Sequence, residues 1–363
     1  MTNISLINSD ILNFPFSRNG DDYYSSICRL FEQYLEIING FNDEFGSKIK
    51  INLPIIENEI KLIKEALEFY LVGKTNHAYQ KINECLELLK SKNLLEIGDI
   101  NGDFYRIRTG SNINYSKKDL FHIPFQMREK VATQRYSIPG LPCIYMADSL
   151  YTAWEEMNRP DFNNIHVTRL SFNTKNTKLL FLNTTTQEIR NRCIVDDKIT
   201  KENILIKYLS YWPLLASCSF VVYKREETFK PEYILPQMVL QWVIENDNID
   251  GIQFKSNRIK YDVSNIGSFN NVAIPVVKNK EKGYCEILSN KIEFTEPLSW
   301  SLLDISEPNI KNFLNKEDIK VDDIRSASYI ELINGEKSDY FTTKFGIMET
   351  KLKSMPIKKL TNA

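Results

Sequence analysis

The sequence predicts an α+β fold, a helical bundle followed by a mixed α/β domain. Two observations predict it. Up to about residue 98 apolar residues recur at three- and four-residue spacing, the signature of amphipathic helices. From Gly102 onward, short runs rich in aromatic and β-branched residues alternate with helical stretches, the texture of a sheet interrupted by helices.

The helical part contains three periodic stretches. DYYSSICRLFEQYLEIINGF stops at Asn39-Gly40, IIENEIKLIKEALEFYLVG stops at Gly73, and NHAYQKINECLELLKSK follows. Glycine just past a periodic run is a helix stop, and short turns between such helices suit a bundle. In the second part, FYRIR, CIYMA, HVTRLSF, KLLFL, SFVVY, GIQF and NVAIPVV read as strands. SLYTAWEEMN, KENILIKYLSYWPLLAS and ILPQMVLQWVIEN read as helices between them. The irregular spacing does not require a parallel sheet. Past residue 280, YCEILSNKIEFTEPLSW suggests a hairpin with an Asn turn, EPNIKNFLN a short helix, and the remainder a polar, Lys-rich end. The resulting division is 1–98 helical, 99–280 mixed α/β, and 281–363 a C-terminal extension packed on the α/β part.

Composition narrows the function. Of 363 residues, 42% are apolar and 26% charged, enough for a sizeable core. The 46 Lys and Arg against 47 Asp and Glu leave a net charge of −1 with no basic stripe, so direct nucleic-acid binding is not expected. No apolar run has bilayer length and no signal peptide opens the chain, so the expected location is the cytoplasm, without membrane contact. The six cysteines stand apart with no CxxC pair and read as free thiols. Three histidines without an HExxH or Cys/His cluster give no metal site. Neither GxGxxG nor GxxxxGK[ST] occurs, which disfavours a resident dinucleotide cofactor.

The chemistry-bearing residues gather between Phe121 and Asn158. Arg135 precedes the Pro139-Gly140 turn, Tyr145 lies in the next strand, and Ser149 is placed to cap a helix whose second turn ends at Glu156. An Arg fork suits a pyrophosphate. A tyrosine face suits a cationic ring. A carboxylate suits the positive charge left on a sugar when its base departs. Glu155 and Glu156 are about 100° apart around a helix, so only one can point into a cleft.

This stretch resembles the RES domain family of bacterial toxin-like proteins, named for Arg, Glu and Ser. The matching segments run from FYRIR at 104 to NVAIP near 275, about half of the chain. The family's opening strand arginine matches Arg106, with Arg108 as the nearby competitor. Its second arginine matches Arg135 in QRYSIPG, its strand tyrosine Tyr145 in CIYMA, and its glutamate Glu156 in YTAWEEM. The later Gln helix, Asp-Gly-Ile strand and serine match Gln237, DGI and Ser256 in PQMVLQWVIENDNIDGIQFKS. A late asparagine matches Asn271 in NNVAIPV.

The resemblance implies an ADP-ribosyltransferase-like fold and breakage of the nicotinamide–ribose bond of NAD+, by hydrolysis or phosphorolysis. NAD+ is then a consumed substrate and no cofactor is required. Glu156, Tyr145 and Arg135 would be catalytic, and Arg106, Gln237, Ser256 and Asn271 would bind NAD+. Transfer of ADP-ribose to a protein, or nucleotide binding without turnover, are the alternatives. An antitoxin or regulatory protein and self-association are the implied partnerships. The helical segment resembles a HEPN-like module, yet LVGKTNH has no arginine at the Arg-x4-His spacing of HEPN-type RNases, so His77 marks no such site. Taken as residues alone, His122 reads as a satisfied semi-buried histidine, and Trp154, Trp212 and Trp242 as core.

Overall fold

The structure, a computed structural model, describes residues 9–18, 20–110, 115–172, 177–194, 197–259, 266–306 and 327–360. Four helices come first: α1 (Tyr23–Gly40), α2 (Glu44–Ile51), α3 (Leu53–Leu71) and α4 (Thr75–Ser91). Strands β1 (Ile97–Asp99), β2 (Asp103–Thr109) and β3 (Cys143–Ala147) follow, and β3 leads into α5 (Leu150–Glu156). Next come β4 (Ile165–Phe172), β5 (Lys178–Leu182), α6 (Thr186–Arg192), α7 (Lys198–Cys218) and α8 (Ile234–Glu245). Then β6 (Gly251–Lys255), β7 (Ile266–Gly267), β8 (Asn270–Pro275), α9 (Glu286–Lys291), β9 (Ile292–Phe294), β10 (Leu298–Ser299) and α10 (Trp300–Ser306) are laid down. The last described elements are β11 (Ala327–Ile333), β12 (Glu336–Asp339), α11 (Lys344–Ser354) and β13 (Lys358–Lys359). The fold class is α+β, helices first and a sheet with interspersed helices after.

Two compact units result. Unit one holds residues up to Ile97 together with Gln134–Ile138 and Leu180–Asp247. Unit two holds Gly98–Thr133, Pro139–Leu179 and Asn248 onward. The stretch 99–280, continuous in the sequence reading, thus contributes to both.

Unit one is built around α7, which carries Pro213 inside it. Proline has no N–H, so the Leu209 carbonyl loses its helical donor and the local ladder opens. Neighbouring helices fill the gap: Tyr34 on α1 donates its hydroxyl to the Leu209 carbonyl at 2.5 Å, and the Leu214 N–H donates to Glu59 Oε1 on α3 at 2.9 Å. Tyr34 also stacks on Trp212, ring centroids 4.2 Å apart. Burial pushes the Glu59 carboxyl well above the usual carboxylate range. Trp212 and Trp242 are fully buried, as core residues should be.

Unit two is an antiparallel sheet in the order β6–β8–β3–β2–β4–β9–β13, with β10 also paired to β4. A second sheet has the order β12–β11–β7. Gly251 of the Asp-Gly-Ile step lies where β6 begins to pair with β8, and a Cβ there would fall 2.5 Å from the Ala273 carbonyl oxygen. Only glycine fits that approach. Helix α11 buries Phe345, Met348 and Leu352 in a cluster with Tyr105, Tyr151, Val167 and Phe269, against which Trp154 packs. The Phe345 ring meets Tyr151, Trp154 and Phe162 edge-on at 5.6, 5.3 and 5.1 Å. Side chains of this size stabilise by roughly 1.5–3 kcal/mol each on burial.

Several elements depart from the sequence reading. Helix α2 was not anticipated: Gly46 lowers helix propensity, yet Asp43 caps the helix by accepting the Gly46 N–H at 2.7 Å, and Phe45 and Ile49 are buried. A Cβ at Gly46 would strike Phe41, so close approach explains the glycine. SFVVY is not a strand. Only Phe220 pairs, through a single bridge to Phe16, because α7 runs on to Cys218. The hairpin expected in YCEILSNKIEFTEPLSW is also absent. EILSNK forms α9, and β9 and β10 each pair with β4 instead of with each other. The C-terminal end, read as polar and Lys-rich, folds into strands and α11, whose apolar face was obscured by its lysines. The EPNIKNFLN helix falls outside the described residues.

Candidate functional site

Helix α5 sets the site. Ser149 caps it, its Oγ accepting the Thr152 N–H at 3.1 Å, as the sequence suggested. At its other end the two glutamates diverge. Glu155 is buried and forms a two-pronged pair with Arg159, Nε and Nη2 each 2.9 Å from a carboxylate oxygen. Glu156 turns the other way. Its Oε1 accepts the Ser256 hydroxyl at 2.6 Å and the Asn271 amide at 2.9 Å, while Oε2 lies 3.3 Å from Arg258 Nε. Three residues singled out from separate stretches, Glu156, Ser256 and Asn271, thus form one hydrogen-bonded cluster. Ser256 and Asn271 are buried, whereas a third of the Glu156 side chain is exposed. One carboxylate is therefore held rigidly and still faces solvent.

The sheet below supplies the rest. Tyr145 on β3 lies opposite Ala273 on β8, and Ala147 opposite Asn271. Directly opposed residues share a face and alternate residues return to it, so Tyr145 and Asn271 project from the same side. Between them stand the side chains of Ala147 and Ala273, both fully buried, Ala147 within the cluster that α11 also enters. Tyr145 is half-buried between the buried Ile144 and Met146.

Strands β2 and β3 are joined through a single residue pair, Tyr105 with Ala147. Past it, the Arg106 guanidinium reaches across and donates to the Tyr145 carbonyl at 2.6 Å. Burial lowers the Arg106 pKa to about 10, which still leaves it charged near neutrality. Arg108, the competing arginine, donates to the Asp119 carbonyl and lies over the Tyr115 ring.

Arg135 and Gln237 belong to unit one. Arg135 donates to the carbonyls of Cys218 and Phe220, at 3.1 and 2.8 Å, and sits over the Tyr233 ring. A cation at the C-terminal end of α7 satisfies carbonyls that the helix leaves open and complements its dipole. Gln237 donates to the Gln134 carbonyl at 3.0 Å. His122 is a satisfied buried histidine. Its Nε2 accepts the Cys285 N–H at 2.9 Å, its Nδ1 bonds the Ile123 carbonyl at 2.7 Å, and burial lowers its pKa to about 4, leaving it neutral.

Sequence reasoning missed three contributors. Arg258 stands two residues beyond Ser256 in FKSNR, a short-range signal that could have been weighed. Asp148 is the second: its Oδ2 accepts the Ser268 hydroxyl and the Asn270 N–H, tying down the turn that delivers Asn271. Burial raises its pKa to about 6. Glu349 is the third: its Oε1 accepts the Leu150 N–H at 2.6 Å and the Tyr340 hydroxyl, gripping the start of α5. About 200 residues separate it from α5, so no local pattern signals it. Among the described residues, no group of three or more His, Cys, Asp or Glu is placed to hold a metal ion, and no helix is long and apolar enough to cross a membrane.

These observations define an α+β chain in which helix α5 holds a solvent-facing carboxylate fixed against Ser256, Asn271 and Arg258. The chain is similar to the Bacillus subtilis (strain 168) protein described as "Putative toxin YopC", at 29% identity over 356 residues, covering 94% of this chain and 78% of that protein. No family model and no solved structure matches the chain.

Proposed function

We propose that this chain is a toxin that consumes NAD+, breaking the nicotinamide–ribose bond at Glu156. The observation that carries the reading is the Glu156 cluster, a carboxylate oriented by Ser256, Asn271 and Arg258 and open to solvent on one side. The chemistry fits. As nicotinamide leaves, positive charge builds on the ribose, and a preorganised carboxylate stabilises it without having to reorient. Tyr145, half-buried on β3, offers a face for the flat cationic ring. Arg106 and Arg258 supply positive charge for the pyrophosphate. The resemblance to RES-type proteins supports NAD+ as the substrate, and the relative's description supports toxicity. A toxin further implies an inhibitory protein partner.

The reading rests on residues of unit two; a catalytic role for Arg135 and an NAD+-binding role for Gln237 rest on the resemblance alone. The test is expression in bacterial cells with NAD+ measured over time. The wild-type chain should deplete NAD+ and arrest growth, and Glu156→Gln should do neither. Growth arrest with undiminished NAD+ would overturn the reading. Labelled NAD+ incubated with lysate separates the two enzymatic outcomes. Free ADP-ribose or its phosphate marks hydrolysis or phosphorolysis, and label on a discrete protein marks transfer.

A further inference from the structure

Unit one contains a concavity of about 430 Å³, lined by Lys90, Asn93, Leu95, Glu96, Ile97, Phe181, Arg192 and Lys207. Its volume is in the range of small-molecule sites. Three cations and one carboxylate line it, a local excess of positive charge on a chain whose net charge is −1.

The cations are not equivalent. Lys90 is largely occupied, its ammonium 2.7 Å from Asn246 Oδ1 and over the Trp242 ring. Arg192 is held in place: one terminal nitrogen donates to Glu96 Oε1 at 2.7 Å, and Glu96 is itself fixed by the Thr184 hydroxyl at 2.8 Å. That leaves further N–H groups of the guanidinium for another acceptor. Lys207, on α7 and partly buried, has no hydrogen-bond or ion-pair partner among the described residues. The one carboxylate lining the concavity, Glu96, is already engaged by Arg192 and Thr184, so Lys207 is left to meet an incoming anion. Beside it, Leu95, Ile97 and Phe181 provide an apolar flank.

We infer that this concavity is a binding site for a phosphorylated small molecule with a flat apolar portion, of nucleotide size. Its phosphates would be met by Lys207 and Arg192 and its ring by Phe181 and Leu95. The arginine fork matches phosphate oxygens in pairs, and the lysine adds a point charge. The site is distinct from the Glu156 cluster and does not depend on the reaction proposed there.

Isothermal titration of the full-length chain with ADP and, separately, with inorganic pyrophosphate tests this. ADP should bind the wild-type chain, and pyrophosphate at least threefold more weakly, because it lacks the ring. Lys207→Met, which keeps the stem and removes the charge, should weaken ADP at least tenfold with an unchanged melting temperature. Arg192→Ala, a more exposed change, should weaken it similarly. Absence of ADP binding to the wild-type chain, or undiminished binding in both variants, overturns the inference. Equal binding of pyrophosphate and ADP overturns the ring contact.

Discussion

Replacing Glu156 by glutamine should nearly abolish turnover while leaving the fold intact, and the geometry fixes both sizes. The amide is isosteric, and its oxygen can still accept from Ser256 and Asn271, which now hold Oε1 at 2.6 and 2.9 Å. What disappears is the negative charge. At about 4 Å from a ribosyl cation, with an effective dielectric of about 20, that charge contributes on the order of 4 kcal/mol. This corresponds to a rate loss of roughly a thousandfold. Stability should change much less. Among the described residues the ion pair lost is with Arg258 at 3.3 Å, between side chains 26% and 33% exposed, and pairs of that kind contribute about 1 kcal/mol or less. The assay pairs nicotinamide release with a thermal melt on the same preparation. A Glu156→Gln protein that melts normally and turns over NAD+ within tenfold of the wild type would refute the assignment.

Other expectations follow from the surrounding contacts. Burial raises the Glu349 carboxyl from 4.5 to about 7, so folding takes up a proton between those values. Stability from this group is therefore fully present below about 4.5 and lost as pH rises through about 7, a cost on the order of 3 kcal/mol in alkaline solution. Glu349→Gln should accordingly raise the melting temperature at pH 8 relative to the wild type and leave it nearly unchanged at pH 4.5; a pH-independent difference would contradict this. Arg135→Ala should lower stability by about 1–3 kcal/mol in urea titrations, because it uncovers the Cys218 and Phe220 carbonyls; an unchanged midpoint would remove its capping role. Gly251→Ala should cost more than about 2 kcal/mol, since its Cβ would press on the Ala273 carbonyl, and a silent substitution would show that β6 and β8 can separate freely.

How much of this was legible in the sequence depends on the range of the cause. The Ser149 cap of α5, the strand alternation around Tyr145 and the Asp-Gly-Ile step are each written within a few neighbouring residues, where local patterns expose them. The bonds from Glu156 to Ser256 and Asn271 span 100 and 115 residues; the family resemblance puts those residues in one set, Ser256 and Asn271 as NAD+ contacts, but nothing in the sequence pairs them with Glu156. Glu349 had neither advantage. SFVVY misled because its β-branched and aromatic residues suit a strand, whereas tertiary contacts determined the outcome, with α7 continuing to Cys218 and Arg135 taking the carbonyls that a strand would have offered. Helix α2 was hidden by the opposite effect: Gly46 weakens the local signal, and the close approach of Phe41 explains why it is there.

The most direct measurement mixes purified wild-type protein with NAD+ and separates the nucleotides by chromatography, with and without phosphate. Stoichiometric appearance of nicotinamide as NAD+ declines is the predicted result. NAD+ recovered intact in both buffers, from protein shown to be folded, would contradict the account.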